Sequence, residues 1–294
     1  MLESRVRGMG LAQYASDFFV REPMNRFVSG VVLAVSLTGC GVSTQQEVEM
    51  GSQYAQQINQ QLPIVQDVEL NRYVNVIGDS IARLTSRTDL TEANSWRFFI
   101  VDSREVNAFA VPGGFIYVNR GLIERTQRMD QLAGVLGHEI GHVVRRHSIK
   151  QMQQQQGANI GVTLACVLTS VCNSQVGQAA IQVGGGAIFA RFSRQDEAEA
   201  DAEGVTNTVR AGISPNGIPE MFKILIAERQ SNPSAVAAMF ATHPLEEDRI
   251  VATEELIAQY NPAIIRSLPT DSRNYQTFKQ RIRMLPPSPT PRSR

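Results

Sequence analysis

Three of the chain's four histidines, His138, His142 and His147, fall within ten residues, and the first two bracket a glutamate in Gly137-His138-Glu139-Ile140-Gly141-His142. A step of four residues advances a helix by about 400°, so His138 and His142 leave nearly the same face, one turn apart. Two neutral imidazoles at that separation can grip one Zn²⁺, and Glu139 on the same helix can act as general base toward a water. A catalytic zinc takes a third protein ligand and keeps its fourth position open. His147 lies five residues past His142, about 140° further round an unbroken helix, and is expected to face away. A carboxylate is the better candidate. Residues 193–201 (SRQDEAEAD) place Glu197 and Asp201 one turn apart on one face. Glu197 can ligate while the shorter Asp201 hydrogen-bonds the free ring nitrogen of a ligating histidine. Glu199 with Glu203 forms a rival pair at the same spacing, and spacing alone does not choose between them.

The elements that must carry these groups follow from periodicity and turn chemistry. Asp130 can cap a helix over about residues 131–155, which holds the two histidines. Residues 44–62 are polar and helix-compatible behind Ser43 and Thr44. Residues 68–86 space Val68, Leu70, Val74, Ile77, Ile81 and Leu84 at helical intervals. The run Trp96 to Val101 (WRFFIV) reads as a strand, and residues 107–111 and 115–118 read as two more across a Pro112-Gly113-Gly114 turn. Helices are expected over 194–211, 218–230 and 246–259. Residues 157–190 carry no Asp, Glu, Lys or Arg and are read as buried or flap-like helices, because polar residues interrupt each apolar stretch.

Composition removes several function classes. The 294 residues hold 43% hydrophobic and 19% charged residues, too apolar for global disorder. Lys and Arg number 28 against 28 Asp and Glu, so nucleic acid is not an expected partner. Three cysteines, Cys40, Cys166 and Cys172, are too few for a four-cysteine zinc module. From Met24 the chain reads MNRFVSGVVLAVSLTGC, a basic start, a short apolar run and small residues at a cut site, hence a secretory signal. Its Leu37-Thr38-Gly39-Cys40 end resembles the bacterial lipobox, which makes Cys40 the lipidated N-terminus and the membrane a partner through that anchor. The expected organisation is an upstream extension over 1–23, a lipoprotein signal over 24–39, the catalytic domain over 40–265 and a partly disordered tail over 266–294.

Four ordered motifs resemble the HtpX-like and CAAX-prenyl-protease family of zinc metallopeptidases. They are Asn107-Ala108-Phe109-Ala110-Val111-Pro112-Gly113-Gly114, HEIGH at 138–142, EAEAD at 197–201 and Thr242-His243-Pro244, and the likeness covers about residues 45 to 260. The chain is most similar to the family's periplasmic lipoprotein members. That resemblance implies an α+β fold, a mostly helical gluzincin-type domain with a small β-sheet beside the active-site helix. It implies one Zn²⁺ per chain on His138, His142 and Glu197, selecting Glu197 over Glu199. It makes Asn107, Ala108, Phe109 and Ala110 part of a substrate edge where a peptide could add as a strand. It places His243 near the zinc, as a removable fourth ligand or an oxyanion stabiliser. The expected activity is endoproteolysis of unfolded or misassembled envelope polypeptides at the periplasmic face of the outer membrane, with the outer-membrane assembly machinery as a further partner. The rival class is a non-catalytic chaperone or assembly factor, which has no use for a base at Glu139. An oxidising periplasm permits a Cys166–Cys172 disulfide only if the helix breaks between them, because six residues of helix span about 9 Å.

Overall fold

The computed structural model describes residues 42–158 and 191–289. The expected extension and signal, Cys40, Cys166, Cys172 and nearly all of 157–190 lie outside those residues. Helix α1 (Thr44–Gln61) opens with a capping box: the Ser43 hydroxyl accepts from the Gln46 amide, and the Gln46 side chain accepts from the Ser43 amide. Helix α2 (Val68–Ala82) is capped by Asp67 and buries Leu70, Val74, Ile77 and Ile81. Val68 and Leu84, read on the same stripe, are 74% and 43% exposed. Val68 sits in the first turn and Leu84 beyond the last, where the stripe no longer meets the core. The short α3 (Thr88–Glu92) leads into the sheet.

Strands β1 (Arg97–Val101), β2 (Ala108–Val111) and β3 (Phe115–Asn119) form one sheet in the order β1-β3-β2, with β3 parallel to β1 and antiparallel to β2. The β2–β3 turn needs left-handed backbone at Gly113 (φ 81°) and Gly114 (φ 94°). It tucks beneath α1, where a Cβ on Gly113 would lie 2.9 Å from the Val48 Cα. Strand alternation then sorts the side chains. Phe109, Val111 and Tyr117 join Ala55, Ile58 and Leu62 of α1, while Ala108, Ala110, Ile116 and Val118 enter the larger core with α2 and the histidine helix.

Helices α4 (Arg120–Arg125), α5 (Met129–Val144) and α6 (His147–Ala158) follow. The single helix expected over 131–155 is therefore two. Asp130 does not cap it; α5 begins one residue earlier, and Asp130 is buried in an ion pair with Arg128 at 3.1 Å. The break falls at Arg146, whose φ of 57° is left-handed. No glycine or proline marks it. A buried glutamate of α1 holds it instead: Glu47 Oε2 lies 3.0 Å from Arg146 Nε, and Arg87 pairs with Glu47 at 3.1 Å while donating to the Val143 carbonyl at 3.3 Å. Those contacts offset the cost of about 1–2 kcal/mol for a left-handed residue with a Cβ.

The chain resumes as α7 (Arg194–Arg210), α8 (Gly217–Ser231), α9 (Pro233–Thr242), α10 (Glu247–Ala258), α11 (Pro262–Ser267) and α12 (Arg273–Arg283). Helices α5 and α7 pack backbone to backbone because Gly141 carries no Cβ, which would sit 2.7 Å from the Ala200 carbonyl oxygen. The boundary expected at 265 is too early. Tyr275, Phe278 and Ile282 of α12 are buried, Phe278 stacks on Tyr73 at 4.5 Å, and Lys279 donates to the carbonyls of Ile123, Glu124 and Thr126. Among the described residues no helix is long and apolar enough to cross a membrane.

Candidate metal centre

Helix α5 carries His138 and His142 one turn apart and turns both inward; α7 brings Glu197 against them, and His243 arrives at the C-cap of α9. One ligand atom from each of these four buried residues lies within 4.8 Å of all the others. His138 Nε2 and His142 Nε2 are 3.1 Å apart, with Glu197 oxygens at 3.6 and 3.5 Å from them. His243 Nδ1 is 3.1 Å from Glu197 Oε1 and 3.4 Å from His138 Nε2.

The surrounding hydrogen bonds decide the protonation. His138 Nδ1 lies 2.8 Å from Asp201 Oδ1 and donates to that carboxylate, which leaves Nε2 as the nitrogen that faces the cluster. Burial pushes the His142 imidazole well below its ordinary value, against the pull of Glu197, so it is neutral. Burial would raise Glu197, but His243, His142 and His138 outweigh it and hold the carboxyl well below the usual range. The Asp201 carboxyl is likewise lowered despite its burial, first by the charge of Arg249 and then by His138. Two imidazole nitrogens and a carboxylate thus face one point, with the His243 ring beside them. The donor set and its protonation suit Zn²⁺.

Glu139 is fully buried, and neither carboxylate oxygen has a hydrogen-bond partner; the nearest ring nitrogen, His243 Nε2, is 3.7 Å away. Burial raises its pKa, with His243 and His138 opposing. An unpartnered carboxylate beside the ligand cluster is free to take a proton from a third party.

Glu199 and Glu203, the rival pair, point elsewhere. Glu199 Oε2 lies 3.3 Å from His147 Nε2, and Glu203 Oε1 lies 3.0 Å from Arg145 Nε. Asn107, Ala108, Phe109 and Ala110 lie at and in β2, the last strand in the order β1-β3-β2 among the described residues, with every side chain buried. His147 does not face away, as an unbroken helix would have it. The turn at Arg146 brings its Nδ1 to 2.9 Å from His142 Nδ1. Two further residues have no warning in the sequence. Phe192 stacks on the His142 ring at 3.9 Å, and Arg249 joins Asp201 to Glu197. Neither lies in a motif, and only packing brings them in.

Inward histidines on one helix, a carboxylate from the next and a buried glutamate without a hydrogen-bond partner, on a mostly helical frame with a small sheet, define a gluzincin-type metallopeptidase domain. The chain belongs to peptidase family M48, a zinc-dependent family whose model matches residues 70–257. It is 31% identical over 238 residues to the beta-barrel assembly-enhancing protease of Escherichia coli, covering 78% of this chain and 47% of that one. It is 30% identical over 255 residues to the protein of the same description from Yersinia pestis, covering 83% and 50%. The metalloprotease LoiP of Escherichia coli is 33% identical over 151 residues, covering 50% of this chain and 57% of that one. The chain spans about half the length of these curated relatives.

Proposed function

We propose that this protein is a zinc endopeptidase that cuts unfolded or misassembled envelope proteins at the periplasmic face of the outer membrane, held there by a lipid on Cys40. The observation that carries the reading is the convergence of His138, His142 and Glu197 beside an unpartnered Glu139. Zinc, when bound, would polarise the scissile carbonyl and make a water easier to deprotonate. Glu139 takes the proton from the attacking water and hands it to the leaving amine. Asp201 holds the His138 ring in the tautomer that leaves Nε2 free. The Asn107 to Ala110 motif, by its resemblance to the family's substrate edge, supports β2 as the strand beside which an extended substrate lies. The lipobox at 37–40 supports the anchor, and the motifs that resemble the HtpX-like and CAAX-prenyl-protease family, with the likeness to a beta-barrel assembly-enhancing protease, support the substrate class and a link to outer-membrane assembly.

His243 favours a latent resting state. Its imidazole lies within the ligand group, where it would occupy the position a water needs. Zinc content and casein cleavage, measured for wild type and Glu139→Gln, test the reading. Stoichiometric zinc in both proteins with at least about a hundredfold loss of cleavage in the variant is expected. Equal cleavage by the two would remove Glu139 as base, and absence of cleavage with zinc bound, in wild type and in His243→Ala alike, would favour a non-catalytic assembly factor. Incorporation of labelled palmitate in a Gram-negative host, abolished by Cys40→Ser, tests the anchor.

A further inference from the structure

His142 and His147 meet through their Nδ1 atoms, 2.9 Å apart, with both rings buried. A hydrogen bond between two ring nitrogens needs one N–H and one lone pair. His142 Nε2 points into the donor cluster, 3.1 Å from His138 Nε2 and 3.5 Å from Glu197 Oε1, so that nitrogen must be bare to ligate. With Nε2 bare, the ring's proton sits on Nδ1 and is donated to His147. His147 Nδ1 must then accept, which places its own proton on Nε2. That atom faces two carboxylates, Glu199 Oε2 at 3.3 Å and Asp196 Oδ1 at 3.4 Å. Every donor along the line finds an acceptor, and only one arrangement of protons satisfies it.

We propose that His147 is a positioning residue for the metal, holding the tautomer and ring plane of His142 and passing its hydrogen bond on to Glu199 and Asp196. The inference rests on the reading of His142 as a zinc ligand. The chain spends a left-handed residue to make this contact. Continued as helix, the backbone would carry His147 to the far side; the turn at Arg146 (φ 57°) swings it back. Glu47 and Arg87 brace that turn from α1 and the loop before α3, through the Arg146 ion pair and the bond to the Val143 carbonyl. Phe192 closes the other side of the His142 ring by stacking on it at 3.9 Å. The two histidine ligands thus differ in support: His138 leans on the carboxylate of Asp201, and His142 leans on an imidazole that leans on carboxylates.

The test uses zinc affinity of the purified chain, read by competition with a chromophoric chelator. His147→Phe keeps a ring of similar size and removes the acceptor. His147→Asn restores an acceptor, because its Oδ1 occupies the place of Nδ1. The phenylalanine variant is expected to bind zinc about 10–100-fold more weakly, the usual cost of losing such a support, and the asparagine variant to recover most of that loss. Equal weakening in both variants, or none in His147→Phe, overturns the inference while leaving the ligand reading intact. A wild type that binds no zinc, or a His142→Ala variant that binds it as tightly as wild type, overturns the ligand reading itself. Should His147→Phe fail to fold, long-range ¹⁵N–¹H correlation on wild type decides: a bare Nδ1 with a protonated Nε2 on His147 is expected, and the opposite tautomer retires the proposal.

Discussion

Arg249 grips Asp201 with two parallel hydrogen bonds, Nε to Oδ2 at 2.9 Å and Nη2 to Oδ1 at 2.8 Å. Its remaining nitrogen, Nη1, lies 2.5 Å from Glu197 Oε2, and its flat face covers the Phe222 ring at 4.6 Å. One guanidinium therefore compensates two buried acids of α7. Without it, Glu197 and Asp201 would keep only the histidines as partners, and more of their desolvation cost would go uncompensated.

Arg249→Leu is expected to lower the stability of the metal-free protein by about 3–5 kcal/mol, the cost of leaving buried charge unpaired. Zinc should raise the thermal midpoint of the variant by more than it raises that of wild type, because the dication replaces the lost charge. Arg249→Lys should recover only part of the stability, since a lysine cannot make the forked contact. Equal zinc-induced shifts in wild type and Arg249→Leu would count against this account.

Glu197→Ala is expected to lose zinc and cleavage together, whereas Glu199→Ala should keep zinc. In the second variant Asp196, at 3.4 Å, still faces His147 Nε2, so the support of His142 is only thinned. Metal analysis after gel filtration separates the two. Zinc stripped by the Glu199 change and kept after the Glu197 change would reverse the ligand assignment.

His243→Ala distinguishes a plug from a catalytic group. As a removable fourth ligand, His243 keeps the site closed, and its loss should raise basal cleavage of an unstructured substrate at unchanged zinc occupancy. As an oxyanion stabiliser, its loss should reduce turnover by about a hundredfold or more. Turnover on fully metallated protein reads the sign directly, and no change would leave His243 a packing residue.

Lys279→Met addresses the end of the chain. The ammonium donates to three carbonyls at the C-terminal end of α4, at 2.6, 3.1 and 2.6 Å, groups the helix cannot satisfy itself. The Ile123 carbonyl keeps the Thr126 hydroxyl, but removing the ammonium strands the Glu124 and Thr126 carbonyls at about 1–3 kcal/mol each, so the thermal midpoint should fall by about 5 °C or more while zinc affinity holds. Truncation after residue 265 should cost more, because it also removes buried Tyr275, Phe278 and Ile282. A truncated chain as stable as wild type would return residues 266–294 to the status of a tail.

Local spacing alone placed His138 and His142 on one face, because a four-residue interval within a helix is a property of the backbone and needs no partner. The β2–β3 hairpin was equally local, since Pro112-Gly113-Gly114 supplies the turn and the two left-handed positions it requires. Choosing Glu197 over Glu199 was not local. It depends on the rotation of α7 against α5, which close packing at Gly141 sets. Helix α12 was missed because Tyr275, Phe278 and Ile282, although helically spaced, sit in an otherwise polar run before a proline-rich end. His147 was misread for the deepest reason. Its direction turns on Arg146, an unremarkable residue whose backbone is held left-handed by a glutamate from α1. A residue without a conformational signature of its own takes its shape from what packs against it, and here only the assembled fold brings Glu47 to Arg146, His147 to His142 and Arg249 to the acids of α7.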